Sequence, residues 1–262
     1  MEKFDIIKES FKEILLKDSQ VEHIATGFGF VEGPVWKDER LLFSDIPNSR
    51  ITSLGVSEEG TSISTYRYPS GNSNGMTLDL EGQLIVCEHS NRRVTRTDSS
   101  GDITPIATRY RGKRLNSPND AAVKSDGSVY FTDPPYGLAG RSQGKELSFN
   151  GVYRVGLNGS EVELLISDME GPNGIAFSPD ESQLYVADSL KKFINVYDLD
   201  KDGYPTNPRQ FFDLDTGEEG VPDGIKIDAE GRLYSSGPGG IWVFEPSAEN
   251  KTGELIGRIL FP

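Results

Sequence analysis

Residues 172–188 read PNGIAFSPDESQLYVAD, and the order within this stretch recurs along the chain. A small polar motif, Pro172-Asn173-Gly174, opens a short apolar strand. An acidic turn follows, and a second strand, LYVAD from Leu184, ends on an acid. The same order begins at Glu32-Gly33-Pro34, Ser73-Asn74-Gly75, Pro118-Asn119-Asp120 and Pro222-Asp223-Gly224. The matching second strands are LLFSD from Leu41, LIVCE from Leu84, VYFTD from Val129 and LYSSG from Leu233. From Glu32, Asn74, Asn119, Asn173 and Asp223 to those strand starts is 9, 10, 10, 11 and 10 residues, and the repeats start 42, 45, 54 and 50 residues apart. A period of about 40–50 residues with several strands per repeat predicts an all-β fold of the β-propeller type. Stacked solenoids usually repeat faster and carry helices.

Composition narrows the function classes. The 262 residues carry 27 Lys plus Arg against 41 Asp plus Glu, a formal charge of −14. That balance argues against nucleic acid and anionic membrane as partners, since both call for basic patches. No apolar run approaches the roughly 18 residues that a membrane helix needs. The start of the chain, MEKFDIIKESFKEILLK, lacks the unbroken apolar stretch of a secretory signal, so a cytoplasmic protein is expected. One Cys and two His exclude an internal disulfide and a Cys/His zinc site. Metal chemistry, if present, falls to oxygen ligands. Phe4, Ile6, Ile7, Phe11, Ile14, Leu15 and Leu16 recur near a 3.6 spacing, which predicts a helix over 3–17. The expected organisation is a helical extension over 1–20 and a propeller over 21–262.

The first and second strands of a repeat form a hairpin, so the end of the second returns to the face where the first began. The residues there are Asp45, Glu88, Asp133, Asp188 and Gly237. With Glu32 and Asp223 they put six carboxylates around one channel mouth, which would repel one another unless a cation bound. Carboxylates mixed with Asn amide oxygens suit Ca²⁺ or Mg²⁺. The alternative is that some of these acids cap turns or pair with Arg92, Arg93 or Arg114.

Six motifs occur in order: EGPVW from Glu32, CEHSNRRVTR from Cys87, NSPND from Asn116, YFTDPPYG from Tyr130, PNGIAFSPDE from Pro172 and PDGIKID from Pro222. From about residue 21 onward they resemble the gluconolactonase and senescence-marker-protein family of six-bladed β-propellers, particularly its bacterial gluconolactonase-like branch. The resemblance implies one divalent cation, Ca²⁺ first with Mg²⁺, Mn²⁺ or Zn²⁺ as alternatives. Its implied ligands are Glu32, Asn173 and Asp223, with Asn119 at the remaining position, near metal or substrate. It also implies metal-dependent hydrolysis of a small-molecule lactone, a sugar lactone opening to an aldonic acid at the channel mouth. Asp223 would be the general base, and Asn119 would orient the substrate. Animal members carry an Arg where this chain has Ser117. Two other readings stand beside this one: a calcium-dependent phosphotriesterase-like hydrolase, and a non-catalytic propeller that binds a protein or small ligand.

Further candidates have two readings each. His89 follows the second strand of repeat two, where it either faces substrate or is a hydrogen-bonded structural residue. His23 falls in an expected strand, about Val21 to Thr26, and reads as structural. Cys87 reads as a buried, inert thiol. The connection from Asp133 to Asn150 is either a mobile lid bringing Tyr136 and Arg141 to substrate or a surface loop. Finally, 191 residues separate Glu32 from Asp223 over four intervals, which places a sixth motif near position 270. The expectation is therefore a six-bladed plan whose last blade is incomplete here, with the native chain continuing past Pro262.

Overall fold

The computed structural model describes residues 3–58, 60–159, 161–246 and 252–261; Pro262 lies outside them. The chain divides into two compact units, Ile24–Pro172, and Met1–His23 with Asn173–Pro262. The first unit holds three four-stranded antiparallel meanders, here blades 1 to 3: Val31–Lys37 through Gly60–Arg67, Ser73–Leu78 through Ile103–Ala107, and Ala121–Val123 through Glu163–Met169. The other unit holds blade 4, whose strands run from Pro172–Phe177 to Pro205–Asp213, and blade 5, from Ile225–Ile227 to Gly253–Leu260. This is an all-β propeller fold with five blades among the described residues, not six.

Local chemistry accounts for the hairpins. The recurring acid between first and second strands folds back as an Asx turn. Asp79 Oδ1 accepts the amides of Glu81 and Gln83 at 2.9 and 2.8 Å, and Asp228 Oδ1 those of Glu230 and Arg232 at 3.1 and 2.8 Å. The second strands are covered on both faces: all of LIVCE and VYFTD are buried, Cys87 included. Apolar clusters fill the space between successive blades of one unit. Leu42, Ile51, Met76, Leu84 and Val86 join blades 1 and 2. Ala187, Phe211, Leu233, Trp242 and Phe244 do the same for blades 4 and 5.

The expected N-terminal helix does not form. Phe4–Ile6 is a strand, and Glu9–Ile14 is one 3-10 segment. The strand pairs antiparallel with the last strand of blade 5, Phe4 opposite Ile259, and makes that blade five-stranded. Ile6, Ile7 and Leu16 are exposed, so the periodic apolar face is not used; only Phe11 is fully buried, against Val243 and Ile256. A short isolated helix is marginal in water, whereas a sheet edge supplies a row of ready backbone partners. Residues 21–26, expected as a strand, are neither strand nor helix, and His23 is exposed. No helix among the described residues is long and apolar enough to cross a membrane.

Candidate active site

In three of the five motifs a glycine of the first strand, Gly33, Gly75 or Gly174, lies against the neighbouring blade's backbone. A Cβ on Gly33 would collide with the carbonyl oxygen of Asn74, one on Gly75 with that of Asn119, and one on Gly174 with that of Asp223. The glycine amides make use of this closeness: Gly75 N–H donates to Asn119 O at 2.7 Å and Gly174 N–H to Asp223 O at 2.9 Å. Glycine is there to let first strands approach, a packing role that turn chemistry alone would not assign.

In the Ile24–Pro172 unit this ladder brings Glu32, Asn74 and Asn119 into one series. Glu32 is half-buried, and its Oε2 accepts the Gly33 amide at 3.0 Å. Asn119 is buried; its amide donates to Thr132 O at 2.8 Å and its carbonyl accepts Gly75, so its side chain is what it presents. Asn74 Nδ2 lies 3.1 Å from His89 Nε2. With the amide donating, Nε2 accepts and Nδ1 carries the proton. Burial pushes the His89 pKa down to about 4, so the ring is neutral at pH 7. His89 is thus hydrogen-bonded and buried.

Tyr136 belongs to the connection after blade 3's second strand, and that connection is tied down along its length. Ser117 Oγ donates to Pro134 O at 2.6 Å and accepts the Gly137 amide at 2.9 Å, Arg92 reaches Gly144 O at 2.7 Å, and Asn116 reaches Phe149 O at 3.0 Å. Gly137 packs so closely on His89 that a Cβ there would strike the ring. Tyr136 OH bonds Gly171 O at 3.3 Å, and the exposed Arg141 guanidinium sits 5.4 Å from its ring centroid. Ser117 is an anchor for this segment.

In the other unit, Asn173 Nδ2 donates to Ser189 Oγ at 2.9 Å, and that hydroxyl donates to Pro222 O at 2.6 Å. The Asp223 amide donates to Ser236 Oγ at 2.9 Å. Asn173 and Asp223 are therefore brought together and oriented by two serines. The residue after each second-strand acid (Ser189, and His89 in blade 2) is the signal that could have found such partners.

The ring of six carboxylates is largely accounted for by other partners. Asp45 pairs with Arg50 at 2.8 Å and accepts Asn48 and Gly29. Asp188 Oδ1 accepts the amides of Leu190 and Lys191. Burial would raise the Glu88 carboxyl, but hydrogen bonds from Arg93 and Asn91 and the charge of Arg67 hold it below its ordinary value. Asp133 is wholly buried: its Oδ2 accepts the Asn116 amide at 2.7 Å, while burial pushes its pKa up to about 7. Asp45, Glu88 and Asp188 close the turn after the second strand of their own blades, whereas Asp133 holds the Asn116 segment that leads into its first strand. That leaves one carboxylate and one amide as candidate donors in each unit: Glu32 with Asn119 in the first, and Asp223 with Asn173 in the other. Oxygen donors of this kind, without sulfur or imidazole, suit a hard divalent cation. Among the described residues no group of three or more His, Cys, Asp or Glu is placed to hold a metal, so a set of this kind depends on its amides.

A propeller whose blades open on carboxylate and amide motifs defines a class, and comparison with known proteins gives its family. Residues 30–262 match the family described as SMP-30/Gluconolactonase/LRE-like region, and the chain belongs to it. It is 37% identical over 273 residues to the gluconolactonase of Zymomonas mobilis, covering 94% of this chain and 74% of that protein. A solved gluconolactonase from Xanthomonas campestris superposes with a TM-score of 0.88 at 34% identity, covering all of this chain and 86% of that one. A calcium-binding protein, regucalcin, from Agrobacterium tumefaciens shares the fold at a TM-score of 0.64 and 19% identity, over 88% of this chain and 75% of its own. The chain is gluconolactonase-like in both sequence and fold.

Proposed function

We propose that the protein hydrolyses a lactone, a sugar lactone opening to its aldonic acid, with the help of one divalent cation, Ca²⁺ first. The supporting observation is that a chain 37% identical to a gluconolactonase carries oxygen donors at the motif positions Glu32, Asn119, Asn173 and Asp223. These four would hold the ion, which when bound supplies a positive charge to polarise the lactone carbonyl. Asp223, oriented through its Ser236-bound backbone, would take the proton of the attacking water. Asn119 would orient the lactone and offer a hydrogen bond to the developing oxyanion. His89, neutral and fixed by Asn74, would contact the substrate as an uncharged ring, and Tyr136 would flank it.

The test is acid release from a panel of five- and six-membered sugar lactones, with chelator and then with Ca²⁺, Mg²⁺, Mn²⁺ and Zn²⁺ restored. Hydrolysis that stops with chelator and returns with Ca²⁺ is expected. Hydrolysis of no lactone above the uncatalysed rate, in metal-supplied protein, would overturn the reading.

A further inference from the structure

The fourth strand of a blade ends its meander and presents a bare backbone edge unless something guards or covers it. In four of the five blades something does. Ile103–Ala107 of blade 2 holds Pro105, and Glu163–Met169 of blade 3 carries Glu163 and Asp168. Pro205–Asp213 of blade 4 has Pro205, Pro208 and Arg209, and Gly253–Leu260 of blade 5 is covered by Phe4–Ile6. Blade 1 differs. Its last strand, Gly60–Arg67, reads GTSISTYR, with neither proline nor charge before Arg67, and residues 60–66 are all exposed.

The strand is set for an antiparallel partner. Its ladder with Arg50–Ser57 is regular from Gly60 to Thr65, and the one irregularity, between Thr65 and Arg67, lies past that stretch. Arg40 fixes it from one face, donating to Ser62 Oγ and to Ser62 O, each at 3.2 Å. Side chains alternate faces along a strand, so Ile63 lies on the other. There Ile63, 50% exposed, ends a row of apolar residues, Trp36, Leu41, Leu54 and Ile63, that crosses all four strands.

The sequence of this edge selects its partner. Residues 61–65 read Thr-Ser-Ile-Ser-Thr, the same in both directions. Two identical antiparallel strands are related by a two-fold axis. A second copy laid with Ile63 opposite Ile63 therefore puts Thr61 opposite Thr65 and Ser62 opposite Ser64. Hydroxyl pairs of this kind hydrogen-bond across strands, and the apolar row runs through the axis into its copy. A strand from another protein would have no need of that symmetry. Each chain carries a formal charge of −14, and the uncharged stretch lets two edges meet without setting like charges face to face. A contact that uses the same patch on both chains also closes at two copies. We propose that the protein forms a two-fold dimer by pairing residues 61–65 of the blade 1 edge with the same residues of a second copy, in register at Ile63.

Sedimentation velocity of the full chain over a wide range of concentrations should show a reversible monomer–dimer equilibrium. Ile63→Lys, which sets two like charges across the axis, should weaken it by at least about tenfold, and so should Ile63→Asp. An equimolar mixture of the two variants should restore it, and each alone should keep the far-UV circular dichroism of the wild type. Ile63→Cys reads the register: mild oxidation should join two copies, because directly opposed residues lie within disulfide reach. Thr61→Cys should stay unlinked, since in this register its two copies are about 13 Å apart along the strands; the native Cys87 is buried. A chain that is monomeric at every concentration overturns the proposal. So does Ile63→Lys dimerising as tightly as the wild type, or Thr61→Cys cross-linking as readily as Ile63→Cys.

Discussion

Replacing Asp133 by Asn should expose a pH dependence of stability that the wild-type protein conceals. Two buried groups act in opposite senses. The His89 pKa is lowered on folding from 6.5 to about 4 by burial. Its contribution is therefore fully present above pH 6.5 and is lost as the pH falls toward 4, because the unfolded chain takes up the proton first. The Asp133 pKa is raised from 3.8 to about 7, again chiefly by burial. Its contribution is fully present below pH 3.8 and is lost as the pH rises through 7. Between pH 6.5 and 4.5, integration of the two linkages gives a loss of about 2 kcal/mol from His89 and a comparable gain, about 2–3 kcal/mol, from Asp133. The wild-type protein should be nearly flat across this window. Asp133→Asn, which keeps an acceptor for the Asn116 amide, should lose about 2 kcal/mol on going from pH 6.5 to 4.5. His89→Gln should gain a similar amount. Urea denaturation at half-unit pH intervals reads the slopes directly, independently of any constant penalty from either substitution. Parallel curves for wild type and Asp133→Asn would refute the reasoning, because the buried carboxyl would then have the same protonation in both states.

Three further outcomes follow from the site. Gly174→Ala should destabilise by about 2–3 kcal/mol, because its Cβ meets the Asp223 carbonyl, while Gly224→Ala, with nothing within 4 Å of its Cβ, should stay within about 0.5 kcal/mol; paired urea curves compare them, and equal losses would count against the close-approach argument. A chelator should lower the melting temperature of metal-loaded protein as well as its activity, since an ion bound only by the folded chain adds stability by mass action; an unchanged scanning-calorimetry trace would speak against a resident ion. Asp223→Ala should abolish lactone turnover, and Asn119→Ala should reduce it with the ion retained; metal analysis of both variants separates the roles, and full activity in Asp223→Ala would sink the mechanism.

Much of the blade plan is visible in sequence because its causes are local. The second strands LIVCE and VYFTD are apolar runs of strand length, and the Asx turns before them need only an Asp a few residues upstream. The acids at their far ends are visible as charges, but the partners are not obvious. Asp45 and Glu88 looked like metal ligands, yet Asp45–Arg50 and Glu88–Arg93 are each five residues apart across one hairpin turn. Hairpin register, with side chains alternating faces, would have paired them before any ion was invoked. The glycine in EGP, NG and NGI was legible as a turn former, while its closeness to a neighbouring carbonyl depends on how blades pack.

The N-terminus shows where local reading gives out. Phe4, Ile6, Ile7 and Phe11 satisfy a helical period, and nothing within twenty residues argues otherwise. What decides their conformation is Ile256 O, which accepts the amides of both Ile7 and Lys8 at 3.0 and 2.9 Å, together with the pairing of Phe4 and Ile259. Arg258 closes the contact on Asp5 at 2.7 Å. Those partners lie some 250 residues away, so the choice between helix and strand is made by an edge that exists only once blade 5 has formed. The same edge bears on the blade count. The strand expected at 21–26 does not form, and the strand at 4–6 takes the outer edge of the fifth blade. A β edge accepts any extended segment that can reach it in register, so motif spacing reports how blades repeat and leaves open which segment occupies the last edge.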